Sequence, residues 1–163
     1  MERLIPAAAL LLVVIVVFLL MRRGWKQRTA SQAGVPVPAR PLEGTPVIHG
    51  PVDGMYVATT AAGDPYDRIA VHGLGLRTAA DVVVTDAGIV IDRAGTGDFL
   101  IPWADVTGVR SSQGMIGKFV EPDGLVVIGW TLGGIALESG FRTRAAATRT
   151  PLITSIRRQI EED

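Results

Sequence analysis

Cysteine is absent from the chain, which excludes disulfides, thiolate metal sites and cysteine nucleophiles while saying nothing of the compartment. Histidine is scarce: His49 and His72 are the whole complement. Neither belongs to a His-x-x-x-His or similar ligand spacing, so both read as structural or solvated side chains. No Gly-x-Ser-x-Gly elbow occurs. No Walker-type loop occurs either, and Gly73-x-Gly75 lacks the third glycine and the strand-to-helix setting of a dinucleotide site. Asp64, Asp67, Asp81, Asp86 and Asp92 fall at turns and strand ends, where aspartate ordinarily builds the turn. The expectation is a protein that is not an enzyme, with no catalytic, cofactor-binding or metal residues and no cofactor. Carboxylates paired only in space stay invisible at this level.

An excess of charge of either sign is also lacking. Lys+Arg and Asp+Glu both number 16, for a formal net charge of zero. The placement is uneven. Arg3, Arg22, Arg23, Lys26, Arg28 and Arg40 outnumber Glu2 and Glu43 in residues 1–44, leaving residues 45–163 with a net charge of −4. An acidic domain behind a basic collar makes a poor nucleic-acid binder, because backbone phosphates demand clustered cations.

What is present begins with Leu4 to Met21, "LIPAAALLLVVIVVFLLM", 18 residues without a charge. As a helix this run extends roughly 27 Å, close to the hydrocarbon thickness of about 30 Å. A cleaved signal peptide would carry its positive charge before a shorter apolar core. Here Arg22, Arg23, Lys26 and Arg28 follow it, and the first small-x-small candidate, Ser31-Gln32-Ala33, comes later still. The pattern predicts a retained single-pass transmembrane helix in the bilayer through residues 4–21. Positive-inside counting then places the C-terminal domain in the cytoplasm, at the inner face of the cell membrane, with Trp25 at headgroup level. The run lacks Gly-x-x-x-Gly, and its small residues Ala7, Ala8 and Ala9 sit at one end, which argues against a helix-packing role.

Three regions follow: residues 1–28 as transmembrane helix with basic collar, 29–46 as linker, and 47–163 as folded domain. The linker carries Pro36, Pro38, Pro41 and Pro46 with Gly34 and Gly44. Such a composition favours extended polyproline II and reads as a spacer without core contacts. Beyond it, short β-rich runs separated by turn residues predict strands at Met55–Thr60, Arg68–Val71, Val82–Thr85, Ile89–Asp92, Phe99–Trp103, Val106–Ser111, Gly117–Val120, Leu125–Thr131 and Ile135–Phe141. Turns are expected at Asp86-Ala87-Gly88, Glu121-Pro122-Asp123-Gly124 and Leu132-Gly133-Gly134. Pro102 cannot donate to a ladder and must stand at an edge or strand end. Asp105 is then placed to satisfy the corner. Thr150-Pro151 predicts an N-cap with proline at the first helical position, and Leu152, Ile153, Ile156 and Ile160 recur at helical spacing after it. The Ala145-Ala146-Ala147 run leaves the start of that helix open.

"VTDAGIVI", a short turn and "FLIPWADVTGVR", then "GLVVIGWTLGGIALESGFR" and a closing helix, resemble bacterial proteins with a pleckstrin-homology-like (PH-like) domain over roughly residues 50–160. With the preceding helix and linker, the chain is similar to an actinobacterial membrane-anchored group of such proteins. The resemblance implies a mainly β fold: a PH-like bent β-barrel with a C-terminal α-helix, here preceded by a single N-terminal transmembrane helix. It makes Ile101-Pro102-Trp103 a structural corner with Trp103 in the core. Relatives that bind phosphoinositides use several Lys/Arg around the first two strands. The matching stretch here offers Arg68 alone beside Asp64 and Asp67, so no headgroup site is carried over and phosphoinositide binding is not expected. Fold alone does not hand over a function. The leading expectation is a cytoplasmic interaction or scaffold domain that binds a protein partner at the membrane. The alternatives are an accessory subunit of a transport or export system, and a barrel that binds a small molecule or lipid.

Overall fold

The computed structural model describes residues 4–115, 118–119 and 124–162, with side chains described over 10–24, 32–113 and 124–162. The chain divides into two compact units, Met1–Gly34 and Val35–Asp163.

The first unit is a single helix, α1 (Leu4–Ser31). It runs through the basic collar instead of ending at it. From Leu10 to Met21 every residue is a large hydrophobic left 45–69% exposed. Among the described residues no helix is long and apolar enough to cross a membrane. The expected span is described only in part, since the side chains of residues 4–9, like that of Trp25 in the collar, lie outside the described ones.

The second unit is built from β1 (Val47–Ala61), β2 (Thr78–Thr85), β3 (Gly88–Arg93), β4 (Phe99–Pro102), β5 (Val106–Ser112), β6 (Gly114–Met115), β7 (Lys118–Phe119), β8 (Leu125–Leu132), β9 (Ile135–Thr143) and α2 (Arg149–Glu162). Seven strands form one antiparallel sheet in the order β4-β3-β2-β1-β9-β8-β5, and β6 pairs with β7 separately. The two edge strands of the large sheet, β4 and β5, are consecutive in the chain. Six flat inter-strand spacings would part them by about 29 Å. The link from Pro102 to Val106 reaches at most about 14 Å. The sheet must therefore curl until its edges approach each other, which produces the bent barrel. Leu152 and Ile156 of α2 are fully buried in the common core, and the helix packs on β1 and β5.

Local chemistry explains the joints. Gly133 (φ 57°) and Gly134 (φ 83°) close the β8–β9 hairpin, a turn that needs positive φ at both centres. At Gly88 a Cβ would lie 2.1 Å from the Ile101 carbonyl oxygen, so β3 and β4 approach this closely only because no side chain is there. Pro102 ends β4 at the sheet edge, as its missing N–H requires.

Several expectations need correction. Arg68–Val71 is not a strand: Arg68 makes a single bridge to Thr60, and Val71–Gly73 is a 3-10 turn. Of the strand expected at Gly117–Val120, residues 118–119 are described as β7, and residues 121–123 of the expected turn lie outside the described residues. Trp103 is not in the core. It opens a 3-10 turn (Trp103–Asp105), half-buried at the core's margin, with its Nε1–H donating to the Thr85 carbonyl at 3.0 Å. Asp105, the last residue of that turn, accepts a long hydrogen bond from the Thr131 hydroxyl at 3.4 Å. The helix α2 starts at Arg149, and a separate 3-10 turn (Ala146–Thr148) keeps the alanine run out of it.

The largest difference concerns residues 35–39. Val35 is buried in the core, Pro38 is buried, and the Leu100 amide donates to the Ala39 carbonyl at 2.8 Å. Pro36 sits against Gly133 so closely that a Cβ there would meet its ring at 2.4 Å. Extended proline-rich backbone fits beside an edge strand, and apolar Val35 joins the buried core cluster. The outer part of the expected spacer thus belongs to the domain.

Candidate functional site

Three aromatic rings line up inside the barrel: Tyr56 meets Phe99 edge-on at 6.0 Å, and Phe99 stacks on Trp130 at 5.9 Å. A thread of hydrogen bonds runs beside them. The β1–β9 register slips between Tyr56 and Ala58. That bulge turns Thr59 to the same face as Tyr56, which three residues of regular strand would not do. The Trp130 indole donates to Ser139 Oγ at 2.9 Å, Ser139 Oγ and Thr59 Oγ1 are 2.6 Å apart, and Thr59 Oγ1 lies 2.6 Å from Tyr56 Oη. Tyr56 in turn donates to the Leu74 carbonyl at 2.7 Å. One direction satisfies every member: each hydroxyl accepts from the side of Trp130 and donates toward Leu74. Burial pushes the Tyr56 hydroxyl up to about 12, so it stays a neutral donor.

Arg93 closes this core on one side. It is 4% exposed, and backbone carbonyls accept the hydrogen bonds of its guanidinium. Its Nη1 donates to the Gly73 carbonyl at 2.7 Å and its Nε to that of Gly97 at 3.0 Å, with longer bonds from Nη2 to His72 and Thr96 carbonyls. The charge lies over the rings of Phe99 (4.8 Å) and Tyr56 (5.2 Å). Burial pulls the guanidinium below its ordinary value, with Tyr56 and Asp98 opposing. A cation so fully surrounded by backbone oxygens is a structural pin between the loops after β1 and after β3.

The residues singled out in the sequence do not converge. His49 lies half-buried in the first half of β1, beside α2. His72, at φ 56°, hydrogen-bonds the Val35 carbonyl through Nε2 at 2.7 Å and so ties down the proline-rich segment. Asp64 accepts from the Tyr66 amide at 2.9 Å, the turn-building role expected of it. Asp81 and Asp92 stand opposite each other on β2 and β3. Asp92 is raised by partial burial first and then by the nearby carboxylates of Asp98 and Asp81. Among the described residues no His/Asp/Glu group is arranged to hold a metal ion. Arg68 donates to the Gly75 carbonyl at 3.2 Å.

A different constellation assembles where β1 meets β9. Met55 pairs with Arg142 and Gly54 with Thr143. Arg77, Arg142, Thr143, Arg144, Arg149 and Met55 line a recess of about 280 Å³. Arg142 and Arg144 share the outward face because they are two apart on a strand. Arg77 arrives from the start of β2, and Arg149 is the first residue of α2, so the helix's N-terminal end also meets the recess. Arg144 forks onto Asp53. Among the described residues Arg142 has no ion pair, and Arg77 donates to the Met55 sulfur. Thr143 is buried with its hydroxyl unbonded. The four arginines are scattered over 73 positions, so their meeting has no linear signature. The Arg142-Thr143-Arg144 alternation on a strand was the one available sign.

No curated protein matches the chain. The family model described as bacterial PH domain-like matches residues 34–157. Its start coincides with the second structural unit, which opens at Val35. With more than half its length matched, this chain belongs to the bacterial PH domain-like family.

Proposed function

We propose that the protein is a single-pass membrane protein that presents its PH-like domain in the cytoplasm as a docking site for a protein partner. The observation that carries the anchoring is the exposure of residues 10–21 of α1 on every side. Residues Leu10 to Met21 are all large and apolar, and all lie open. A helix apolar all round needs an apolar surrounding. The uncharged run from Leu4 to Met21 gives it the length, and Arg22, Arg23, Lys26 and Arg28 give the orientation. Docking is supported by the PH-like domain itself, which as a scaffold serves interaction, and by the arginine recess on its outer face. Residues 32–34 alone separate α1 from Val35, the first core residue of the domain.

The absence of cysteine makes one experiment clean. A single Tyr66→Cys, at a residue 68% exposed, should resist a membrane-impermeant thiol reagent in intact cells and react once the membrane is opened. Crosslinking in the same membranes should then yield one discrete partner whose crosslinked peptides map to residues 35–163. Labelling in intact cells would overturn the orientation. Crosslinks confined to residues 4–21 and a multi-span complex would replace docking by a transport-accessory role.

A further inference from the structure

From the proline-rich strap on the β4 edge, we infer that two copies of this chain exchange residues 35–39, each strap seating on the other copy's barrel. This rests on the membrane residence proposed above, which confines the copies to one plane, and it leaves the partner's docking site elsewhere. The strap behaves as a separable piece. Val35 is buried with its carbonyl on His72 Nε2 at 2.7 Å, and Pro36 lies against Gly133. Pro38 is buried, and the Ala39 carbonyl accepts from the Leu100 amide at 2.8 Å. Each of these contacts reaches a residue at position 72 or later, so a second copy offers the identical seat. Completed exchange keeps them all.

Between the strap and β1 stands a hinge, residues 40–46. A cavity of about 720 Å³ lies between residues 37–43 and the loops that carry His72 and Thr96–Asp98, so the start of the hinge stands off the barrel. The hinge is folded back on itself. Thr45 Oγ1 donates to the Leu42 carbonyl at 2.8 Å, and Gly44 turns at φ 77°. The eight steps from Ala39 to Val47 reach at most about 28 Å. Laid flat, the path from β1 across β2, β3 and β4 to the strap is four strand spacings, about 19 Å, and the curl of the sheet shortens it. Slack therefore remains. Pro41 and Pro46 press Arg40 and Thr45 toward extended backbone, so opening the Leu42–Thr45 turn straightens the hinge and carries the strap outward.

Exchange also accounts for two apolar side chains left in water. Val37 on the strap and Leu42 on the hinge are 69% and 68% exposed. In an exchanged pair the two hinges run side by side between the barrels, and Val37 and Leu42 of both copies meet there. That burial exists only in the pair, and it favours the exchanged form over the closed one.

The absence of cysteine again makes the test clean. The full chain carrying Ala39→Cys and Leu100→Cys, two positions that bridge in the strap's seat, is oxidised mildly in its membranes and run without reductant. Most of the oxidised chain should appear as a covalent dimer that reductant returns to monomer. A disulfide closed mainly within single chains overturns the inference, because each strap then sits on its own barrel. Leu100 is buried, so a second measurement leaves it intact: energy transfer between donor- and acceptor-labelled Tyr66→Cys copies in phosphatidylcholine liposomes. Val37→Asp and Leu42→Asp should each weaken that association by about tenfold or more. No transfer in the parent, or transfer that survives both variants, overturns the inference. So does a monomeric chain whose spin label at Leu42→Cys is reached by lipid-dissolved oxygen, which makes the exposed pair a bilayer contact. If the chain is monomeric while Tyr66→Cys still reacts only after the membrane is opened, the anchoring stands and the exchange falls alone.

Discussion

Arg93 and Arg142 carry the same guanidinium into opposite settings on one barrel. Arg93 is buried under Tyr56 and Phe99, and carbonyls of four residues take its protons. Arg142 stands exposed on β9 with no ion pair among the described residues, beside three further arginines. The difference separates two uses of charge. Where backbone oxygens already satisfy every direction, the cation fixes loops and has nothing left to offer a ligand. Where water is the present partner, a ligand replaces that water at little structural cost. Burial and hydrogen-bond saturation, not residue type, decide which arginines are available for recognition.

The largest expected effect tests that contrast directly. Arg93→Leu should destabilise the domain by about 3–5 kcal/mol, because several buried carbonyls lose their donor together. Arg142→Leu should fall within about 0.5 kcal/mol of the parent, as exposed substitutions do. Urea unfolding of the full chain in detergent, followed by tryptophan fluorescence, measures both. Equal midpoints for the two variants would break the comparison.

The next effect concerns the neighbour of Arg93. Tyr56 titrates at about 12 in the fold, against 10.0 for an ordinary tyrosine. A raised folded-state value means the unfolded chain loses its proton first as pH rises. The contribution of Tyr56 is therefore complete below pH 10 and declines between pH 10 and 12, by up to about 2–3 kcal/mol. Tyr56→Phe has no proton to lose, so its stability should fall less steeply over that window than the parent's. Parallel alkaline profiles would mean the buried hydroxyl is not held as described.

The smallest effect sharpens the contrast at the barrel's corner. Trp103 is half-buried, with one hydrogen bond to Thr85, whereas Trp130 is 1% exposed inside the core. Trp103→Ala should cost about 1–2 kcal/mol, below the ~3–5 kcal/mol of an aromatic removed from a core. A loss as large as that of Trp130→Ala would return Trp103 to the core, where sequence alternation had put it.

That misplacement marks the limit of pattern reading. Alternation along Phe99, Ile101 and Trp103 assumes the strand continues, but β4 stops at Pro102 and a 3-10 turn rotates Trp103 to the margin. Composition likewise described residues 35–39 as spacer. Their attachment depends on an edge strand about 60 residues away, on Gly133 and on His72. Both features turn on partners that lie far off in the chain, and no local propensity registers them.

By itself the sequence determined the apolar run and its basic flank, the succession of strands, the glycine turns at 88 and 133–134, and an amphipathic closing helix. Each of these follows from neighbours within a few residues: periodicity, turn chemistry and charge. Only the tertiary structure decided that the sheet curls, since that requires β4 and β5 to be both consecutive and at opposite edges. Only it decided that Arg93 is a buried pin and that Arg77, Arg142, Arg144 and Arg149 share one recess. Strand pairing at long range sets those distances, and electrostatics and desolvation act through distance in space, whatever the separation along the chain.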